Sequence, residues 1–95
     1  MTEREQFELA ETRMRVYARD NYTCRVCGRS IYHYGSPQLA HRVPQTKANL
    51  RKYGKARIHA DKNLASVCSL RCNSSVLASP AEERAIMEDD NAERQ

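Results

Sequence analysis

Four cysteines fall into two close pairs, Cys24-Arg25-Val26-Cys27 and Cys68-Ser69-Leu70-Arg71-Cys72, with forty residues between them. Thiolates with two or three residues between them can grip a single Zn²⁺, and two such pairs complete a tetrahedral set. Gly28 follows the first pair, where a reversing chain needs positive φ. In the second pair, one helical turn would bring positions i and i+4 onto one face. Four thiolates leave no open position for water, so this zinc would be structural, with a net charge of −2 on the cluster. Four buried thiols without metal are the bland alternative, in a chain with one Phe and no Trp. A redox role for Cys24 and Cys27 would need a parallel βαβ pattern, which is absent, and would leave the second pair unexplained.

A second set of polar residues lies between and beside these pairs. His41 sits in Leu39-Ala40-His41-Arg42-Val43-Pro44, Asn63 precedes Leu64, and Asn73 follows Cys72. A near-neutral imidazole can serve as a base, and an amide oxygen can ligate a cation. Asn63 and Asn73 are equally residues that cap helices. His33, between Tyr32 and Tyr34, reads as a surface or packing residue.

The net charge of +4 hides a pattern. Residues 1–12 sum to −3, residues 13–71 to +11 and residues 72–95 to −4. A basic middle that coincides with the cysteine pairs attracts a polyanion.

Several elements must hold these groups. Residues 3–19 predict a helix with Phe7, Ala10, Met14 and Tyr17 on one face, stopped at Asp20-Asn21. Ile31 to Tyr34 reads as a short strand, Gly35-Ser36-Pro37 as a turn, and Gln38 to Val43 as a second strand closed by Pro44. Thr46 to Tyr53 predicts a short basic helix ending at Gly54. Arg57-Ile58-His59 reads as a returning strand. From Asp61, a helix would carry Asn63, Leu64 and Val67 toward Cys68. Ser79-Pro80-Ala81-Glu82 forms a capping box with Pro at the first helical position, so a helix is expected over about 80–91. Its apolar face, Ala81 and Ala85 with Ile86 and Met87 beside them, is thin.

Over roughly residues 20–76 the chain resembles the HNH nucleases, in the branch that frames the site with two cysteine pairs. The resemblance rests on the order His41…Pro44, Asn63-Leu64, Cys72-Asn73 within the four cysteines. It implies a ββα-metal fold with His41 as general base. Asn63 would hold the loop and help orient His41, and Asn73 would ligate a catalytic Mg²⁺ or Mn²⁺ distinct from the zinc. It further implies that Arg42, Lys47, Arg51, Lys52, Lys55 and Arg57 hold the phosphate backbone of DNA. One position departs from the family. Ala40 stands where a metal ligand usually precedes the base, and His59 or Asp61 would have to supply it for full activity.

The expectation is therefore a single α+β domain over residues 1–95, zinc-stapled and HNH-like, flanked by helices at about 3–19 and 80–91. Its function would be metal-dependent cleavage or nicking of DNA. The alternative is a zinc-ribbon module that binds nucleic acid without catalysis. A third reading makes the acidic terminal helices self-associate, and a homodimer suits a nuclease that cuts both strands. No apolar run of membrane-spanning length and no signal-peptide core are present, which points to the cytoplasm and away from a membrane.

Overall fold

The computed structural model describes the backbone of residues 3–93 and the side chains of residues 9–88. Helix α1 spans Glu3–Arg19, strand β1 Gln38–His41, helices α2 and α3 Lys47–Tyr53 and Lys55–Ile58, strand β2 Leu64–Val67, and helices α4 and α5 Leu70–Asn73 and Pro80–Glu93. A 3₁₀ turn at Asp61–Asn63 leads into β2. The strands pair antiparallel, with Gln38 opposite Val67 and His41 opposite Leu64. Among the described residues the architecture is α+β, with five helices around a two-stranded sheet.

Three local expectations hold because their causes are local. Helix α2 begins at Thr46, whose side chain accepts from the Asn49 amide, and ends at Gly54, whose φ of 87° breaks the helical path. Helix α5 opens with the capping box: Ser79 Oγ accepts from the Glu82 amide at 3.2 Å, and Glu82 accepts from the Ser79 amide at 3.0 Å. The α1 helix stops at Asp20, after which Asn21 and Tyr22 turn the chain with positive φ.

Four expectations need correction. Residues 31–34 form a turn rather than a strand. Arg57 and Ile58 end helix α3, with His59 as its cap, rather than forming a strand. The segment after Asp61 becomes β2, not a helix, and it is buried on both faces. On α1 the inward face carries Val16 and Tyr17, while Met14 is 71% exposed and Ala10 is exposed. The Phe7 side chain lies outside the described residues.

The buried residues form two clusters. One gathers Cys24, Cys68 and Cys72 with Ala40, Ala65, Val67 and Val76. The other joins Val43, Ile58, Ile86 and Met87, with Leu50 and Tyr53 against it. Helix α5 thus buries Ile86 and Met87 within the chain, while Ala81 and Ala85 face out.

The edge of β2 is covered. Ser66 donates its amide to Asp20 Oδ2 at 3.0 Å, its hydroxyl to the Val16 carbonyl at 3.2 Å, and its carbonyl accepts from the Arg25 amide at 2.9 Å. Asp20 also accepts from Arg19 and Arg25. One carboxylate therefore ties the end of α1, the first cysteine loop and β2 together. Burial pushes Asp20 up, but hydrogen bonds from Arg19 and Ser66 outweigh it and hold the carboxyl at about 2.

Candidate metal centre and histidine cleft

The four cysteine sulfurs converge, all within 4.8 Å of one another. Cys27 Sγ lies 3.5 Å from Cys68 Sγ, which lies 3.8 Å from Cys72 Sγ. Ligands about 2.3 Å from a tetrahedral zinc stand about 3.8 Å apart, so the cluster fits the ion. Among the described residues, no other group of three or more His, Cys, Asp or Glu side chains comes together in this way. The donor set is four sulfurs, which selects a thiophilic ion such as Zn²⁺ over Mg²⁺ or Ca²⁺.

Each pair is shaped by its own loop. The amides of Val26 and Cys27 both point at Cys24 Sγ at 3.5 Å, and the Gly28 amide reaches back to the Cys24 carbonyl at 3.1 Å. Gly28 takes φ 79° to make that reversal. In the second pair Ser69 caps α4: its hydroxyl accepts from the Cys72 amide at 3.3 Å, which sets Cys68 and Cys72 one turn apart. Burial pushes the Cys24 thiol up, but amides of Cys27 and Val26 outweigh it and bring it down to about 6. Burial and the neighbouring thiols drive Cys68 up to about 12. Metal-free, the cluster would hold protons that a bound cation displaces.

Ala40 and His41 are consecutive on β1 and so point to opposite faces of the sheet. Ala40 is fully buried against the cysteines. His41 opens into a cleft of about 600 Å³, lined among others by Leu9, Thr12, Arg13, Gln38, Gln45 and His59. Its Nε2 lies 3.1 Å from His59 Nδ1, with the rings edge-on, 5.2 Å between centroids. Burial, then the His59 charge, hold His41 below the ordinary imidazole value. It is therefore neutral at neutral pH.

Asn63 is completely buried beneath this cleft. Its Oδ1 accepts from the Val43 amide at 2.8 Å, and its Nδ2 donates to the carbonyls of Ile58 and Val43 at 2.8 and 3.1 Å. It locks the loop after β1 to the end of α3, and so fixes the backbone that carries both histidines. Of the two expected roles, holding the loop is the one its amide fills, since its hydrogen bonds go to backbone groups and none goes to His41.

The remaining expected residues are scattered. Asp61 is bound by Arg15 through two hydrogen bonds, 2.8 and 3.2 Å, whose guanidinium lowers its pKa. Asn73 ends α4 and is not among the residues lining the cleft. The cleft is lined by two imidazoles and neutral oxygens but by no Asp or Glu, an unfavourable set for a hard Mg²⁺. Arg42 is bound by Glu82 at 2.9 Å and the Val76 carbonyl at 3.2 Å, so it ties α5 to β1 instead of facing solvent. Lys47, Arg51, Lys52 and Lys55 stand exposed on α2 and α3, with Arg57 half-buried beside them.

The sequence reading missed the His41–His59 contact, since it joins groups eighteen residues apart. It also missed Asp20 as a junction, and a cluster of exposed rings at Tyr22, Tyr32 and Tyr34. Three of five tyrosines within residues 22–34 were the available signal for the last. Among the described residues no helix is long and apolar enough to cross a membrane. The chain matches no protein-family model, no curated protein and no solved structure.

Proposed function

We propose that this chain is a metal-dependent endonuclease of the HNH type, with a ββα-like site carried on a zinc-stapled antiparallel strand pair, and that His41 is its general base. The observation that carries the reading is His41 at the end of β1, neutral, in an open cleft, with its Nε2 held by His59 and its loop locked by buried Asn63. In hydrolysis a water oxygen bonds to phosphorus as the P–O3′ bond breaks. The water proton passes to His41 Nδ1, and the leaving oxygen takes a proton from solvent.

Proton bookkeeping then assigns His59. A single hydrogen bridges the two rings. If His41 Nδ1 is to accept a proton, His41 carries its own hydrogen on Nε2 and donates it to His59 Nδ1. Neutral His59 must then be protonated on Nε2, which leaves no lone pair for a metal. Within this pair His59 positions His41 and does not replace the ligand missing at Ala40. The requirement for Mg²⁺ or Mn²⁺ rests on the resemblance, with Asn73 as the named donor. Such an ion would polarise the phosphate and stabilise the leaving oxygen. DNA is the substrate class, and exposed Lys47, Arg51, Lys52 and Lys55 would meet its phosphates.

A second reading, a zinc module that binds nucleic acid without catalysis, is favoured by two observations. Ala40 is buried against the cysteines, and Asn73 does not line the histidine cleft.

Nicking of supercoiled plasmid with Mg²⁺, Mn²⁺ or EDTA separates the two. The nuclease reading expects metal-dependent nicking that falls about 100-fold or more in His41→Ala. His59→Ala should slow nicking without changing the metal concentration needed for half-maximal rate. Plasmid binding with no nicking under any metal would reject the nuclease in favour of the binding module.

A further inference from the structure

Tyr22, Tyr32 and Tyr34 are 48%, 55% and 57% exposed. Large aromatic rings are normally drawn into a small domain's interior, and three left outside on one loop system call for a cause. Two of the rings share a surface. Those of Tyr22 and Tyr32 are near-parallel, 23° apart, with centroids 6.4 Å apart. That is the wide end of the range for aromatic pairs, so the contact contributes little to cohesion and leaves ring surface open. His33 stands edge-on to Tyr34 at 4.5 Å, and Arg29 donates to the Tyr34 hydroxyl at 2.7 Å.

The backbone accepts strain to hold this surface. Asn21 and Tyr22 adopt φ of 56° and 55° in succession. Asn tolerates that region, but an aromatic residue rarely enters it, at a cost of about 1 kcal/mol or more. The strained pair is fixed from both sides: the Tyr22 amide donates to the Tyr17 carbonyl at 2.8 Å, and its carbonyl accepts from the Ile31 amide at 3.0 Å. A bridge between Thr23 and Ser30 closes the loop, so Tyr22 is brought against the 30–34 turn.

The nearest carboxylate, Asp20, is buried and paired with Arg19 and Arg25, so the exposed charge around the rings is positive. Residues 21–35 contain Arg25 and Arg29 and no Asp or Glu. Both arginines are exposed. Sequence-tolerant binding of single strands combines such exposed rings, on which bases stack, with cations that follow the phosphates.

We propose that Tyr22, Tyr32 and Tyr34, with Arg25 and Arg29, form a stacking surface for unpaired bases of single-stranded DNA. The proposal rests on the nucleic-acid part of the function above and is independent of catalysis. It gives the chain a preference for DNA with an open or displaced strand, because paired bases keep their faces buried in the stack.

The test is fluorescence anisotropy of the full chain, zinc-loaded, with a labelled mixed-sequence 15-mer and with its duplex, at fixed salt. Wild-type protein should bind the single strand. Tyr22→Leu/Tyr32→Leu should lose about tenfold per ring on the single strand and less than twofold on the duplex. Tyr22→Phe/Tyr32→Phe should bind as wild type, since ring faces and not hydroxyls are used. Tyr34→Leu, outside the strained pair, serves as a second variant and should lose about tenfold whether or not the double variant folds. Unchanged single-strand affinity in the Leu variants, or equal losses on both probes, overturns the stacking surface while salt-sensitive duplex binding keeps the nucleic-acid reading. Binding of neither probe by wild type overturns both.

Discussion

The two buried clusters of this chain are built on different principles, although Val43 of one follows Ala40 of the other by only three residues. The cysteine-centred cluster is small in hydrocarbon: its members are three cysteines, two alanines and two valines. The second cluster, of Val43, Ile58, Ile86 and Met87, packs larger side chains and is pinned by the three hydrogen bonds of Asn63. One cluster converges four sulfurs that could hold a metal ion, and the other rests on aliphatic burial and a polar lock. Ala40 and His41, neighbours on β1, face the cysteines and the histidine cleft respectively. A chain of this size divides its stabilisation in this way because its hydrophobic burial alone is marginal.

The sharpest way to break the comparison is to remove the ion. A chelator strong enough to extract zinc, or Cys68→Ser, should release the first loop from α4 and unfold the sheet, because metal binding in so small a domain is folding free energy. The expected readouts are one Zn²⁺ per chain by elemental analysis, loss of circular dichroism on chelation, and a collapse of the melting transition. Metal-free protein that melts cooperatively at the original temperature would show that the aliphatic cluster suffices, and the contrast would fail.

Asn63→Ala tests the other side. It leaves the Val43 amide and the Val43 and Ile58 carbonyls without partners in a fully buried place. Unsatisfied buried groups cost about 1–3 kcal/mol each when nothing relaxes, so a loss of about 3 kcal/mol in urea unfolding is expected. Zinc content should remain at one per chain, because the sulfurs are set by the Cys24–Gly28 and Ser69–Cys72 turns. Asn63→Asp should be at least as damaging, since a carboxylate oxygen would then face two carbonyls. Loss of zinc in either variant would mean that the two clusters act as one.

The same contrast explains what could be read in the sequence. The cysteine centre was legible because spacing alone dictates it: two and three intervening residues, and a glycine after one pair. The glycine end of α2 and the capping box of α5 were legible for the same local reason. Strand β2 was not. Leu64-Ala65-Ser66-Val67 is buried on both faces, so it shows no alternation, and four residues cannot distinguish helix from strand by period. On α1 the hydrophobic count favoured the stripe through Met14, whereas the inward one runs through half-buried Leu9 and Thr12 to Val16. A polar residue on the inner face misled the pattern. The pairing of His41 with His59 depends on how α3 returns to β1, which no short-range signal encodes. The misplaced strand at Arg57-Ile58-His59 follows from the same gap.

Asp20 provides the smallest and most specific effect, on the cysteine side. Its carboxylate is 3% exposed and joins Arg19, Arg25 and Ser66. Its folded pKa of about 2 lies below the ordinary 3.8. A depressed carboxylate contributes stability that is fully present above the unfolded value and is lost as pH falls toward the folded one. Nearly two pH units of depression correspond to about 2 kcal/mol. Wild type should therefore exceed Asp20→Asn by about 2 kcal/mol at pH 6 to 7, and the margin should shrink between about pH 5 and pH 2. Protonation of the thiolates releases zinc over part of that range, but it does so in both proteins, so the difference between their unfolding free energies isolates the carboxylate. A difference that stayed constant from pH 7 to pH 2 would assign the junction to shape and hydrogen-bond geometry instead of charge.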